Sequence, residues 1–319
     1  MGCASAGGFQ LKIGPETAET VLLPGPPASP RAKYLYSVKA MPERERRGAT
    51  GSDLPFFRGP IAVAEVRKSL FYFVDQPDSL LLRLEPASGR WRFIEPIAKE
   101  PLLSLVGLAA DDAGGIYLTD SALKGVFKLR EDGRLERFAE DHPFGRPTGI
   151  AFDAKNRRLW VVDTLESTVS AFDLSGKKIL ELGRRGDQAG ELNHPTFIAC
   201  DRQGALYVSD TLNFRVQCFA ADGSFRFSFG SLGDGPGAFA APKGIAIASD
   251  GRVYVVDGRL DRVQAFSATG DYLFAFGSSG TGPGQLWSPN GIAVDETGKV
   301  YVCDFLNDRV QVFQLLGEP

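Results

Sequence analysis

The chain has 319 residues, 43% hydrophobic and 24% charged, with 36 Lys and Arg against 39 Asp and Glu for a net charge of −3. That balance excludes a disordered chain and the strongly basic surface expected of a nucleic-acid binder. No apolar run approaches the ~20 residues that cross a bilayer as a helix.

The first 32 residues read as a flexible tether. Prolines at 24, 26, 27 and 30 favour extended, semi-rigid backbone over packed structure. Cys3, after Gly2 and before Ala-Ser-Ala, resembles the start of a mature bacterial lipoprotein. It is the candidate lipid anchor, placing the protein outside the cytoplasm on a membrane tether; the other expectation is a soluble cytoplasmic chain whose Cys3 is incidental. Ala6 stands where a myristoylation motif wants Ser or Thr. The remaining cysteines, Cys200, Cys218 and Cys303, sit in strand patterns as small hydrophobes. No Cys or His spacing suits zinc or a disulfide framework.

From residue 33 onward the chain repeats itself six times. FYFVD, IYLTD, LWVVD, LYVSD, VYVVD and VYVCD end at Asp75, Asp120, Asp163, Asp210, Asp257 and Asp304, spaced 45, 43, 47, 47 and 47 residues apart. Short β-branched and aromatic runs at that period predict an array of four-stranded blades. The fifth repeat is the cleanest: GIAIA (244–248), VYVVD (253–257), RVQAF (262–266) and YLFAF (272–276). Its second strand is apolar almost throughout, as expected of a strand covered on both faces. The sixth repeat lacks a fourth strand, and YLYSV at 34–38 matches YLFAF. The N-terminal strand should therefore complete blade 6, and removing residues 31–40 should destabilise the whole ring. The prediction is an all-β, six-bladed propeller over 33–319, a closed single domain and a monomeric fold.

GIAVD, VYVCD and RVQVF, with the loops FGSLGDGPGAFAAP (229–242) and FGSSGTGPGQLWSP (276–289), resemble the NHL-repeat family of six-bladed propellers. The resemblance spans 33–313 and is weakest in blades 1 and 2, which lack the glycine-rich loop. It implies a propeller used mostly for binding and in a minority of members for catalysis, so it does not fix function.

In a meandering blade the first strand begins where the second ends, so these positions share one mouth of the central channel, a favoured place for ligands. The residue before the first-strand glycine reads as Gly59, Val106, Thr148, Thr196, Lys243 and Asn290 in blades 1 to 6, with Arg146 and His194 just ahead. Asp210, Asp257 and Asp304 join this candidate ligand-binding set, although an Asp repeated in every blade more naturally secures a turn. Arg215, Arg262 and Arg309, five residues after their aspartates, are candidate ion-pair partners.

No catalytic residue is assigned. A metal-dependent lyase of peptidyl-hydroxyglycine would need several channel histidines, and the chain has only His142 and His194. A calcium lactonase would need a Glu at the mouth, and no G-x-S-x-G elbow is present. The expected role is a non-catalytic binding or scaffold module without cofactor, presenting its mouth and loops to a small ligand or, above all, to another protein. The alternative is a metal-dependent hydrolase or lyase with Ca or Zn at the mouth. Candidate partner loops are 39–58, 183–194, 230–241 and 277–288. Trp287 is either an interface anchor or packed beneath its loop in the manner of Leu192 and Phe239.

Overall fold

The computed structural model describes residues 2–6, 9–14, 21–23, 31–42, 57–68, 70–86, 88–94, 96–97 and 101–316, with backbone alone for 2–6, 9–14 and 40–42. Five antiparallel four-stranded sheets follow one another along the chain. They span Pro60–Ile94, Leu105–Phe138, Pro147–Leu182, Pro195–Phe229 and Pro242–Phe276. A sixth is built from Pro289–Val294, Lys299–Asp304, Arg309–Leu315 and the N-terminal strand Ala32–Pro42. The molecule is an all-β six-bladed propeller.

Local chemistry explains each blade. The second strands are buried at every position, as in Val253–Asp257, or at all but the first, as in Arg158–Asp163, and β-branched and aromatic residues suit such two-sided packing. In blades 2 to 6 the turn after the first strand holds a left-handed residue, supplied for example by Gly251 at φ 87° and Gly298 at φ 79°. First strands of neighbouring blades pack against each other around the axis. Glycine permits this approach: a Cβ on Gly291 would sit 2.3 Å from the Ile61 carbonyl oxygen, and one on Gly244 2.3 Å from that of Asn290.

The core is divided into six apolar slabs, one between each pair of adjacent blades. Phe71, Phe73 and Trp91 of blade 1 face Tyr301, Cys303 and Val310 of blade 6. Trp160 and Val162 of blade 3 face Leu206 and Val208 of blade 4. Each large side chain so buried contributes ~1.5–3 kcal/mol. Cys218 and Cys303 are fully buried, and burial pushes the Cys218 thiol up to about 11.

The N-terminal strand closes the ring as its likeness to YLFAF predicts. Val38 pairs with Val310, Ser37 with Gln311 and Tyr36 with Val312. Within 1–32, Phe9–Gly14 pairs with Ala32–Pro42 and Gly2–Ala6 pairs with Phe9–Gly14. The segment expected to be a flexible spacer thus adds strands to the blade 6 sheet, while the proline tract at 24–30 and the Cys3 side chain lie outside the described residues.

Candidate ligand site at the channel mouth

The six aspartates that end the second strands are buried and committed to local structure. Asp257 accepts the backbone N–H groups of Ala240 and Ala241 from the entering loop, and of Arg259 and Leu260 from the turn that follows. Asp163 does the same for Gly145, Arg146, Leu165 and Glu166. In blades 4 and 6 an arginine joins: Arg215 Nε lies 2.8 Å from Asp210, and Arg309 Nε 2.7 Å from Asp304. Arg262 departs from the expected ion pair with Asp257. Its Nε has no partner, while Nη2 donates to the carbonyls of Gly235 and Ala238. Asp210, Asp257 and Asp304, grouped with the ligand set on sequence, do not line the mouth.

The remaining mouth positions do come together. A cavity of about 280 Å³ is lined by Ile61, Val106, Thr148, Thr196, Lys243 and Asn290, one residue from the first strand of each blade. Pro60 opposes Asp75 as Pro289 opposes Asp304, so the blade 1 member is Ile61 and not Gly59. Without a glycine at position 62 to mark the register, matching the repeats by sequence places the blade 1 position two residues early. Gly59 instead makes room for an aromatic ring, since a Cβ there would meet Phe305 at 2.7 Å. Arg146, Gln76, Thr164 and Phe305 complete the rim.

Phe197 supplies the floor, and sequence reasoning missed it. It lines both the mouth and the narrower channel below, a space of about 80 Å³ bounded by two residues from each first strand. The signal was present, since FIACD carries Phe where GIAFD, GIAIA and GIAVD carry Gly.

Hydrogen bonds fix the polar side of the mouth. Thr164 donates to the Pro195 carbonyl at 2.6 Å and receives the Thr148 hydroxyl at 2.8 Å. Thr211 likewise donates to the Pro242 carbonyl and receives Thr196. The corresponding position in blade 5 is Gly258, where a Cβ would lie 2.8 Å from the Lys243 stem. That space lets Lys243 Nζ reach Asn290 Oδ1 at 2.8 Å, while Asn290 Nδ2 donates to the Ser288 carbonyl. Burial lowers the Lys243 ammonium from its ordinary value, opposed by attraction to Asp257.

Neither histidine lines the mouth. His194 sits at φ 50° with Nδ1 3.0 Å from Asn193 Oδ1. His142 packs edge-on to Phe144 and Phe172, and burial lowers its pKa. No Asp, Glu, His or Cys lines the mouth, and no group of three such residues is placed to hold a metal among the described residues. Trp287 is half exposed, and Leu286 is the residue packed beneath the loop, matching Leu192 and Phe239.

The fold and site define a six-bladed β-propeller whose mouth bears cations and no acid. The NHL repeat family model matches residues 286–313, within blade 6. Similar solved structures include a gluconolactonase from Xanthomonas campestris (16% identity, TM-score 0.66, 96% of this chain and 98% of that one). A virginiamycin B lyase from Staphylococcus aureus matches at 14% identity and TM-score 0.62, over 97% of this chain and 100% of that one. A chain of a nidogen/laminin complex matches at 19% identity and TM-score 0.59, over 81% and 94%. At these identities the likeness establishes the fold alone.

Proposed function

We propose that the protein is a non-catalytic binding module whose working surface is the channel mouth and the loops around it. One observation carries this reading. The frame repeats six times, yet none of the six equivalent mouth residues is a carboxylate, imidazole or thiol able to act as a metal ligand, and Lys243 carries the one side chain among them with a titratable group. The aspartates with the right chemistry for those roles are occupied by turns.

The loops on the same face also carry exposed Leu103, Leu165, Leu212, Trp287 and Leu306. Scattered apolar residues are normal on surfaces, but five in the loops of one face suit a protein partner. We further read Cys3 as the lipid attachment point of an extracytoplasmic protein, a reading that rests on the Gly2-Cys3-Ala4-Ser5 motif.

The competing activity is metal-dependent hydrolysis or elimination. Purified protein supplied with Ca2+ or Zn2+ and assayed on gluconolactone and on a peptidyl-hydroxyglycine should show no turnover above buffer. Turnover that EDTA abolishes and the metal restores would sink the binding-only reading.

A further inference from the structure

The mouth combines two features that together select a ligand. Arg146 and Lys243 both line it, and neither has a carboxylate within ion-pair distance among the described residues. Arg158, Arg215 and Arg309, by contrast, are paired with Asp153, Asp210 and Asp304. The Arg146 guanidinium has no hydrogen-bond partner among the described residues, although its backbone N–H is held by Asp163. Lys243 uses one of its three N–H donors on Asn290. Half-buried Lys243, already attracted by Asp257, and Arg146, exposed at the rim, thus put cationic character on one side of the cavity, enough for a single negative charge.

The opposite wall is mostly apolar: Ile61, Val106 and Phe305 stand across from the cations beside the Gln76 amide, and Phe197 forms the floor. The hydroxyls between add little donor capacity, because Thr164 donates to a carbonyl and Thr148 donates to Thr164. A phosphate dianion would find few further donors and would be pressed against hydrocarbon, whose contact does nothing to replace its lost hydration. A carboxylate needs only what the two cations offer: a planar fork from the guanidinium and a point charge from the ammonium. At about 280 Å³ the cavity lies just under the ~300–1,000 Å³ usual for drug-sized ligands.

We propose that the mouth binds a small monocarboxylate with an apolar body, the carboxylate between Arg146 and Lys243 and the hydrocarbon part over Phe197 towards Ile61, Val106 and Phe305. Asn290 acts as a positioning residue, since it holds the ammonium and touches the ligand only through it. This rests on the mouth being a ligand site and adds the ligand's chemistry.

Phenylacetate serves as probe, with phenylacetamide as its neutral isostere and inorganic phosphate as an anion without a body, all by titration calorimetry on the full chain. Phenylacetate should bind one to one, with phenylacetamide at least tenfold weaker and phosphate weaker still. Lys243→Met and Arg146→Gln should each weaken phenylacetate at least tenfold without altering thermal unfolding or the weak amide binding. Arg92→Gln removes an exposed cation from the outer strand of blade 1, away from the mouth, and should leave the affinity unchanged. No phenylacetate binding overturns the proposal, as do equal losses from Arg92→Gln and tighter binding of phosphate. Equal binding of acid and amide, with both lost in Thr196→Trp, overturns the anionic ligand while leaving the mouth a binding site. Failure of this inference is thereby separated from failure of the function it extends.

Discussion

Six aspartates occupy one position in the repeat, but they do not have one chemistry. Asp304 is held by Trp287 N–H, Asn307, Arg309 and Gln311. Asp75 accepts the peptide N–H groups of Arg58 and Gly59, both on Oδ2, and its buried Oδ1 has no partner. Burial accordingly pushes its carboxyl up from 3.8 to about 6. The native state then holds a proton that the unfolded chain releases. Asp75 favours folding fully below about pH 4, and that contribution is lost as pH rises through 6. Asp75→Asn keeps an acceptor but cannot titrate. Relative to the parent, its unfolding free energy should rise by about 2–3 kcal/mol between pH 4 and pH 7. Urea denaturation across that range measures it, and a flat difference would show that Asp75 titrates normally.

At the scale of the element, the third strands of blades 4 to 6 act as clamps for the glycine-rich loops. Gln217, Gln264 and Gln311 each accept the N–H of a glycine 27 residues earlier: Gly190, Gly237 and Gly284. The paired arginines hold two carbonyls of the same loops, as Arg309 does with Gly282 and Gln285. Arg309 also compensates buried Asp304, whereas Arg262 leaves Asp257 to the backbone. Arg309→Met should therefore cost about 3–5 kcal/mol, the usual loss when a buried charge is left alone. Arg262→Met should cost no more than about half of that, because only hydrogen bonds to carbonyls are lost. Equal costs in chemical denaturation would mean the ion pair contributes nothing beyond the clamp. The RVQ triplet was visible in the sequence, and reading its arginines as ion-pair partners holds for two of three blades. The glutamine's role was not legible, because a contact across 27 residues depends on how the loop folds back. The same limit hid the blade 1 register: Ala62 replaces the glycine that marks it in blades 2, 3, 5 and 6, and only strand pairing reveals Ile61 at the mouth.

For the whole molecule, period and composition were enough to count blades and to assign the closing strand, because each repeat states its second strand in the same words. The mouth was legible as a set of positions, with Lys243, Asn290, Thr148, Thr196 and Arg146 correctly gathered there. What the residues do was not, since the latch hydroxyls, Gly258 and Phe197 matter only through neighbouring blades. The core explains why closure is indispensable. Ala32 and Tyr34 belong to the slab shared with blade 5, and Val38 to the slab shared with blade 1. Deleting residues 31–42 would open both slabs and bare the Arg309–Leu315 edge to other chains. The shortened protein should lose cooperative unfolding and associate in a concentration-dependent manner by light scattering. A monomer with parental stability would contradict the closure.

The closing ladder also sets how the ring responds to load. Ala32 pairs with Leu315, and the Leu316 N–H donates to the Arg31 carbonyl, so the two chain ends leave the strand pair side by side. A force drawing the termini apart meets that ladder end-on and parts its hydrogen bonds one after another, as a zip opens. It does not meet them all together, as it would if the ends left from opposite sides and the strands had to slide. Tension on the N-terminal segment reaches that seam only after the outer strands Gly2–Ala6 and Phe9–Gly14 have peeled from the blade 6 sheet, so the added strands shield the closure from load.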